Sequence, residues 1–288
     1  TILGDAFRGA DLIRGQGRRS VSMLVGDGTL PIIGGVLAAA AWQIPWLGQI
    51  LAIPFGFAVL RRMTDPPSLR RRSQAAPGFA TFVALFRIRG VWAVQYAGFL
   101  RMFLKFSILT YLPVLLVDAR GFSPAFAGLV VGASALIGIV PSASAGRIAH
   151  LARPTTFVAV GLALEGVALA VWAVATWPGV ILAAAFGFGI ADGLSGVFVN
   201  ALVASATDTE QRASFVAVTG AVRNFAKFAG PAFVGIAILS IDLSTAIVLM
   251  AVTTFVSTLL VIPLRSLDAR LQDEQRTEQP HEEAHDHR

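Results

Sequence analysis

The stretch GRRSVSMLVGDGTLPIIGG, residues 17–35, decides how the rest of the chain is read. Gly17 is followed after eight residues by Gly26, after three more by Leu30-Pro31, and after two more by Gly34-Gly35. Small residues at helical spacing let two membrane helices approach closely. Pro31 is expected to bend the span between Gly28 and Gly34, because a proline cannot donate to the helical ladder. Asp27 sits inside this apolar run.

The chain around this stretch is built for a solvent other than water. Of its 288 residues 55% are hydrophobic and only 14% charged, with a mean hydropathy of +0.71. A water-soluble domain carries about 25% charged residues. There is no cysteine, which removes disulfide frameworks, thiolate metal sites and cysteine nucleophiles together. The sequence begins at Thr1 with no signal peptide before it, and reads as part of a longer polypeptide. The net charge of +6 does not point to nucleic acid, because the arginines fall in short blocks between apolar runs.

Those runs have membrane-spanning length, about 20 residues each at about 1.5 Å per residue. Eight are expected, at roughly 20–40, 43–61, 91–117, 123–145, 155–176, 179–203, 214–239 and 243–264. In lipid only helices satisfy their own backbone over such lengths, so the chain reads as an all-α polytopic membrane protein. Basic residues orient it. Arg8, Arg14, Arg18 and Arg19 precede the first span, and seven arginines from Arg61 to Arg89 flank the long loop. Arg147, Arg153 and Arg212 lie in later alternate loops, and Arg265, Arg270, Arg276 and Arg288 in the tail. These eighteen fall on one side, against Arg120 alone on the other. The basic side, with both ends of the chain, is expected to be cytoplasmic and the protein to be multi-pass in the plasma membrane.

The spacing of residues 17–35 resembles the fifth-helix antiporter motif of the major facilitator superfamily, G-x8-G-x3-G-P-x2-G-G. Leu30 stands where the family has glycine, adding bulk where close approach is expected. The resemblance extends through TYLPVLLVDARGFSPAFAGLV (110–130), AGRIAHLAR (145–153) and TDTEQRASFVAVTGAVRNFAKFAGPAFVG (207–235). These look like the junction of helices seven and eight, the second-half loop between helices eight and nine, and the entry to helix eleven. The resemblance implies an equivalent of helices five to twelve. Residues 1–61 would end the first half, 62–90 form a basic cytoplasmic linker, 91–264 the six-helix second half, and 265–288 a disordered tail. The first four helices of the same polypeptide would be missing, and without them the chain should not transport by itself. The resemblance also assigns Gly17, Gly26, Pro31, Gly34 and Gly35 to a gate between halves, and Arg147 and Arg153 to a cytoplasmic latch.

The charges inside the spans carry the chemistry. Lys105 and Lys227 are the only lysines, and each follows an arginine by four residues in an apolar helix: Arg101 with Lys105, Arg223 with Lys227. A charge near the bilayer centre costs at least about 2.5–3.5 kcal/mol, so it faces a partner or a wet cavity. Spacing i, i+4 puts both cations of a pair on one face, where they repel unless an anion lies between them. Asp27, Glu165 and Asp192 are the candidate partners. Two readings stay open: internal ion pairs that hold the bundle together, or a pathway of Arg101, Lys105, Asp192, Arg223 and Lys227 that touches substrate and protons. Lysine suits the second, since its protonation responds to burial where arginine's does not. Asp192, between Gly189 and Gly193, is the candidate proton carrier. Glu165 is expected to be structural, on a helix that is peripheral in the family. Gln95, Tyr96, Tyr111 and Asn200 could bond a substrate or a neighbouring helix.

The function that follows is a secondary transporter working by alternating access on a small molecule and protons, as proton-coupled efflux. The alternatives are a carrier of organic anions that uses the Arg/Lys pairs, or a non-transporting receptor of the same fold. No paired catalytic constellation supports a membrane enzyme, and no phosphate-cradling loop supports ATP use. No cofactor and no metal are expected; His281, His285 and His287 in the acidic tail read as solvated side chains.

Overall fold

The computed structural model describes residues 9–41, 43, 50, 52–62, 91–205 and 212–259. Among them the chain is helical throughout, with no strand. Helix α1 is Gly9–Ala40, α2 is Ala52–Arg62, and α3 is Val91–Val114, which ends in a π-helical turn, Leu115–Ala119. Then follow α4 (Pro124–Ile137), α5 (Ile139–Ile148), α6 (Pro154–Val174), α7 (Pro178–Ser205), α8 (Arg212–Ala237) and α9 (Leu243–Thr258). Most of the expected linker, residues 63–90, and the tail 265–288 lie outside the described residues, as does much of the second span.

Among the described residues five stretches are long and apolar enough to cross a membrane: Ile13–Ala40, Trp92–Ala119, Pro124–Ile148, Pro154–Val174 and Pro178–Val203. Of the remaining expected spans, α8 has the length, at 26 residues, but carries Arg212, Arg223 and Lys227. Helix α9 is described for 16 residues. The outward faces confirm the solvent. Leu239 is 82% exposed and Ile236 69%, apolar area that water would not tolerate in such density.

Two expected boundaries shift. The first helix begins at Gly9, well before residue 20, so Arg14, Arg18 and Arg19 belong to it. The span expected over 123–145 is two helices that meet at Gly138. Pro141 explains the break: it has no N–H to offer the carbonyl of Ile137 four residues back. Gly138 also lies against α7, where a β-carbon would stand 2.9 Å from the Gly189 carbonyl oxygen.

The turn from α3 to α4 follows from RGFSP. Gly121 takes the left-handed conformation, φ +70°. Its N–H bonds the Val117 carbonyl at 3.0 Å, and the Phe122 N–H bonds that of Leu116 at 2.9 Å, a double C-terminal closure that only glycine adopts freely. Ser123 then caps α4, its Oγ accepting from the Phe126 N–H at 3.2 Å, with Pro124 opening the helix. Arg120 donates to the carbonyls of Ala173 and Ala175, which closes the exposed C-terminus of α6.

Helix α7 is the hub. It packs against α1, α3, α4, α5, α6 and α8, while α1 lies along α4 and α5, α3 along α8, and α9 along α6. A residue midway along α7 therefore meets both the first helix and the later ones.

Candidate functional site

Asp192 occupies that midpoint and is 4% exposed. Its Oδ1 lies 2.6 Å from Arg101 Nη2 and its Oδ2 3.3 Å from Lys105 Nζ. Arg101 Nη2 also donates to the Asp192 carbonyl at 3.3 Å. The anion that the Arg101–Lys105 repulsion demanded is thus the protein's own. Lys105 Nζ makes a second and shorter ion pair, 2.8 Å to Asp27 Oδ2, so one lysine on α3 ties α1 to α7. Two glycines make room for the guanidinium groups. A β-carbon at Gly196 would meet Arg101 Nη2 at 2.6 Å, and one at Gly98 would stand 3.4 Å from Arg223 Nε.

The second pair behaves differently. No carboxylate lies between Arg223 and Lys227 among the described residues. Lys227 Nζ sits 5.2 Å from the centre of the Phe106 ring, where the ring's negative face takes the place of an anion. Arg223 faces other cations, with Arg101 and Arg19 within electrostatic reach. The Nε atoms of Arg101 and Arg223 are both buried without a hydrogen-bond partner among the described residues. Two prolines add polar atoms nearby. Pro31 and Pro231 offer no N–H to the carbonyls of Asp27 and Lys227, each four residues earlier.

Glu165, fully buried on α6, is no ion-pair partner of either pair among the described residues. Its Oε1 accepts from Ser195 Oγ at 2.9 Å, and its Oε2 has no partner. Gln95 is an interhelical bond, its Nε2 donating to Thr219 Oγ1 at 2.8 Å. Tyr96 and Tyr111 pack on the apolar core.

Two cavities meet at the charged cluster and share Asp27, Lys105 and Asp192 in their walls. One, of about 170 Å³, is otherwise almost wholly apolar, lined by Leu30, Pro31, Ile108, Leu109, Leu112, Val131 and Phe188 among others. The other, of about 80 Å³, adds Arg19, Arg101, Arg223, Ser20, Ser142 and Asn200. Along the sequence Arg19 is only a charge before the first expected span. Eight residues before Asp27 and inside the same helix, it stands about 12 Å along the axis from it.

The glycine motif is used in part. Along α1 a β-carbon at Gly17 would stand 2.5 Å from the Ser142 carbonyl oxygen, and one at Gly35 2.8 Å from that of Pro124. Gly128 of α4 faces the Pro31 carbonyl and the Gly35 backbone. Among the described residues, Gly26 and Gly34 have nothing within 4 Å of a notional β-carbon. At about 100° per residue Gly28 and Gly35, seven apart, share a face, while Gly26 lies about 200° from Gly28 and Gly34 about 100° from Gly35. Leu30, replacing the family's glycine, is 68% exposed and lines the apolar cavity, so its bulk stays out of the α1–α4 contact. The helix is continuous through Pro31. Arg147, in the last turn of α5, and Arg153, at the N-cap of α6, are both exposed; among the described residues neither has an ion-pair partner.

The comparisons agree with this architecture. A family model described as the Major Facilitator Superfamily matches residues 1–231. No curated protein sequence matches the chain. Among solved structures, the crystal structure of the human organic anion transporter MFSD10 (TETRAN) is similar in fold, with a TM-score of 0.72 at 17% sequence identity. The similarity covers 90% of this chain and 66% of that one.

Proposed function

The chain belongs to the Major Facilitator Superfamily of membrane transporters, and we propose that it serves as a secondary active carrier of a small organic anion. One observation carries the reading. The cavity at the basic end sets four cations, Arg19, Arg101, Lys105 and Arg223, against two carboxylates, Asp27 and Asp192. Arg19 is exposed and meets solvent, so the uncompensated cation inside the bundle is Arg223, which costs at least about 2.5–3.5 kcal/mol at membrane depth unless an anion or water meets it. The fold neighbour's description as an organic anion transporter supports the same class.

The residues divide the work. Arg101 and Lys105 hold Asp192, and Arg223, its Nε buried without a hydrogen-bond partner, has no carboxylate counterion among the described residues. An incoming anionic group neutralises Arg223 and competes with Asp27 for Lys105. Because the Asp27–Lys105 pair joins α1 to α3, its release loosens one contact between the two parts of the bundle. That links binding to the rocking motion of alternating access. The excess of arginine at one end supports a cytoplasmic basic end in the plasma membrane.

A second reading rests on a different observation. Two carboxylates converge on one lysine, so a proton arriving on Asp27 or Asp192 would break one of the two pairs that hold Lys105. This arrangement supports proton-coupled efflux of a neutral or cationic molecule. The test is flux in liposomes holding the intact transporter under an imposed pH gradient, with a panel of organic anions, lipophilic cations and neutral drugs. Anion flux that disappears in Lys105→Met and Arg223→Met is expected. Cation or neutral-drug movement against the proton flow, lost in Asp192→Asn, would replace it with the second reading. Absence of any anion flux would sink the first.

A further inference from the structure

The two cavities share a wall and differ in polarity, and three helices repeat the same division. Along α3 the order is Arg101, Lys105, Ile108, Leu112; along α1 it is Arg19, Asp27, Leu30. Helix α7 runs the other way, with Phe188 in the apolar cavity, Asp192 at the junction and Asn200 in the cationic cavity. At about 1.5 Å per residue the stretch from Arg101 to Leu112 spans about 16 Å, and that from Arg19 to Leu30 the same. The ionic residue stands at the boundary on each helix. Asp27, Lys105 and Asp192 line both halves, with Asp27 the most exposed of the three at 45% against 18% and 6%.

From this repeated gradient we infer that the two cavities are one bipartite binding site for an amphipathic organic anion. Its charged head lies among Arg101, Arg223 and Lys105, and its hydrocarbon or aryl tail lies against Leu30, Leu112 and Phe188. The inference rests on the anion reading above and narrows it. A small hydrated anion such as a halide or acetate fills only the cationic half and leaves about 170 Å³ of apolar space without a partner. A head group joined to a tail occupies both. Asp27 yields to the tail's passage, being the half-exposed member of the cluster, while Asp192 stays buried and keeps Arg101 and Lys105 from repelling each other. Leu30 supplies apolar wall at the position where glycine would leave none.

Straight-chain alkylsulfonates are the probes, because they stay ionised at every working pH and do not cross lipid as neutral acids. The intact transporter in liposomes is assayed for their transport, and for competition among them, from methanesulfonate to octanesulfonate. Apparent affinity is expected to rise about fourfold per methylene, the factor that matches burial of one CH₂, and then to level off once the apolar cavity is full. Ala135→Leu, which intrudes on that cavity, is expected to bring the plateau to shorter chains. Leu109→Ala, which enlarges it, moves the plateau to longer ones and serves if Ala135→Leu does not fold. Equal affinity along the series overturns the bipartite site while leaving an anion carrier in place. So does a rise that neither variant alters, since this would report partition into lipid. If no sulfonate or other anion is transported, the anion reading itself falls.

Discussion

Gly35→Ala and Gly34→Ala are neighbouring substitutions for which the structure sets opposite signs. A β-carbon at Gly35 would stand 2.8 Å from the Pro124 carbonyl oxygen and 3.1 Å from the Gly128 α-carbon. Both obstacles are backbone, so neither turns aside as a side chain would. To reach ordinary contact at 3.4 Å, α1 must back away from α4 by about 0.6 Å there. Overpacking of this kind costs about 1–3 kcal/mol. At Gly34 the β-carbon meets nothing within 4 Å, and removing a helical glycine's backbone freedom stabilises by about 0.5–1 kcal/mol. For a chain of this size about 2–4 °C accompanies each kcal/mol. The same glycine gain offsets part of the overpacking at Gly35, so thermal unfolding of the purified protein in detergent, followed by fluorescence or dye binding, is expected to show Gly35→Ala lowered by up to about 10 °C and Gly34→Ala raised by about 1–4 °C. Equal shifts of the same sign would refute the helix phase assigned to α1, and with it the claim that Gly34 lies outside the close contact.

Two further substitutions test the ionic assignments. Asp192→Asn leaves Arg101 and Lys105 facing one another in a buried place, and a loss of about 3–5 kcal/mol is expected. Asp27→Asn, at a half-exposed site, costs less than about 1 kcal/mol. Unfolding midpoints compare the two, and adding Arg101→Met to Asp192→Asn should restore a good part of the loss; no recovery would mean Asp192 holds something other than these cations. Arg120→Gln removes a charged donor from the Ala173 and Ala175 carbonyls, for an expected cost of about 1–2 kcal/mol in the same assay. A neutral result would show that solvent closes the end of α6 unaided.

Much of this protein was legible along the chain. Apolar runs about 20 residues long require helices in lipid, and most expected spans are helices. Arg101 and Lys105, four apart on one face, require an anion between them, and Asp192 was among the three carboxylates able to supply it. The turn at RGFSP follows from a left-handed glycine, a capping serine and a helix-opening proline, all local effects.

What the tertiary structure decided concerns phase and partner. Asp192 is 87 residues from Lys105, and Asp27 is 78. The two glycines beside Asp192 and the resemblance that makes Glu165's helix peripheral separate the two carboxylates in sequence, but neither says which one meets Arg101 and Lys105; Glu165 turns to Ser195. Arg14, Arg18 and Arg19, expected to precede the first span, lie within its helix, and so Arg19 enters a cavity wall instead of remaining a topology signal. The glycine spacing announces a close contact without saying which glycines make it, because each residue turns the helix by about 100° and only the neighbour's position selects the face. Composition and spacing are properties of one helix. A charge's counterion, a glycine's contact and a cavity's two halves are properties of helices side by side, and packing alone determines them.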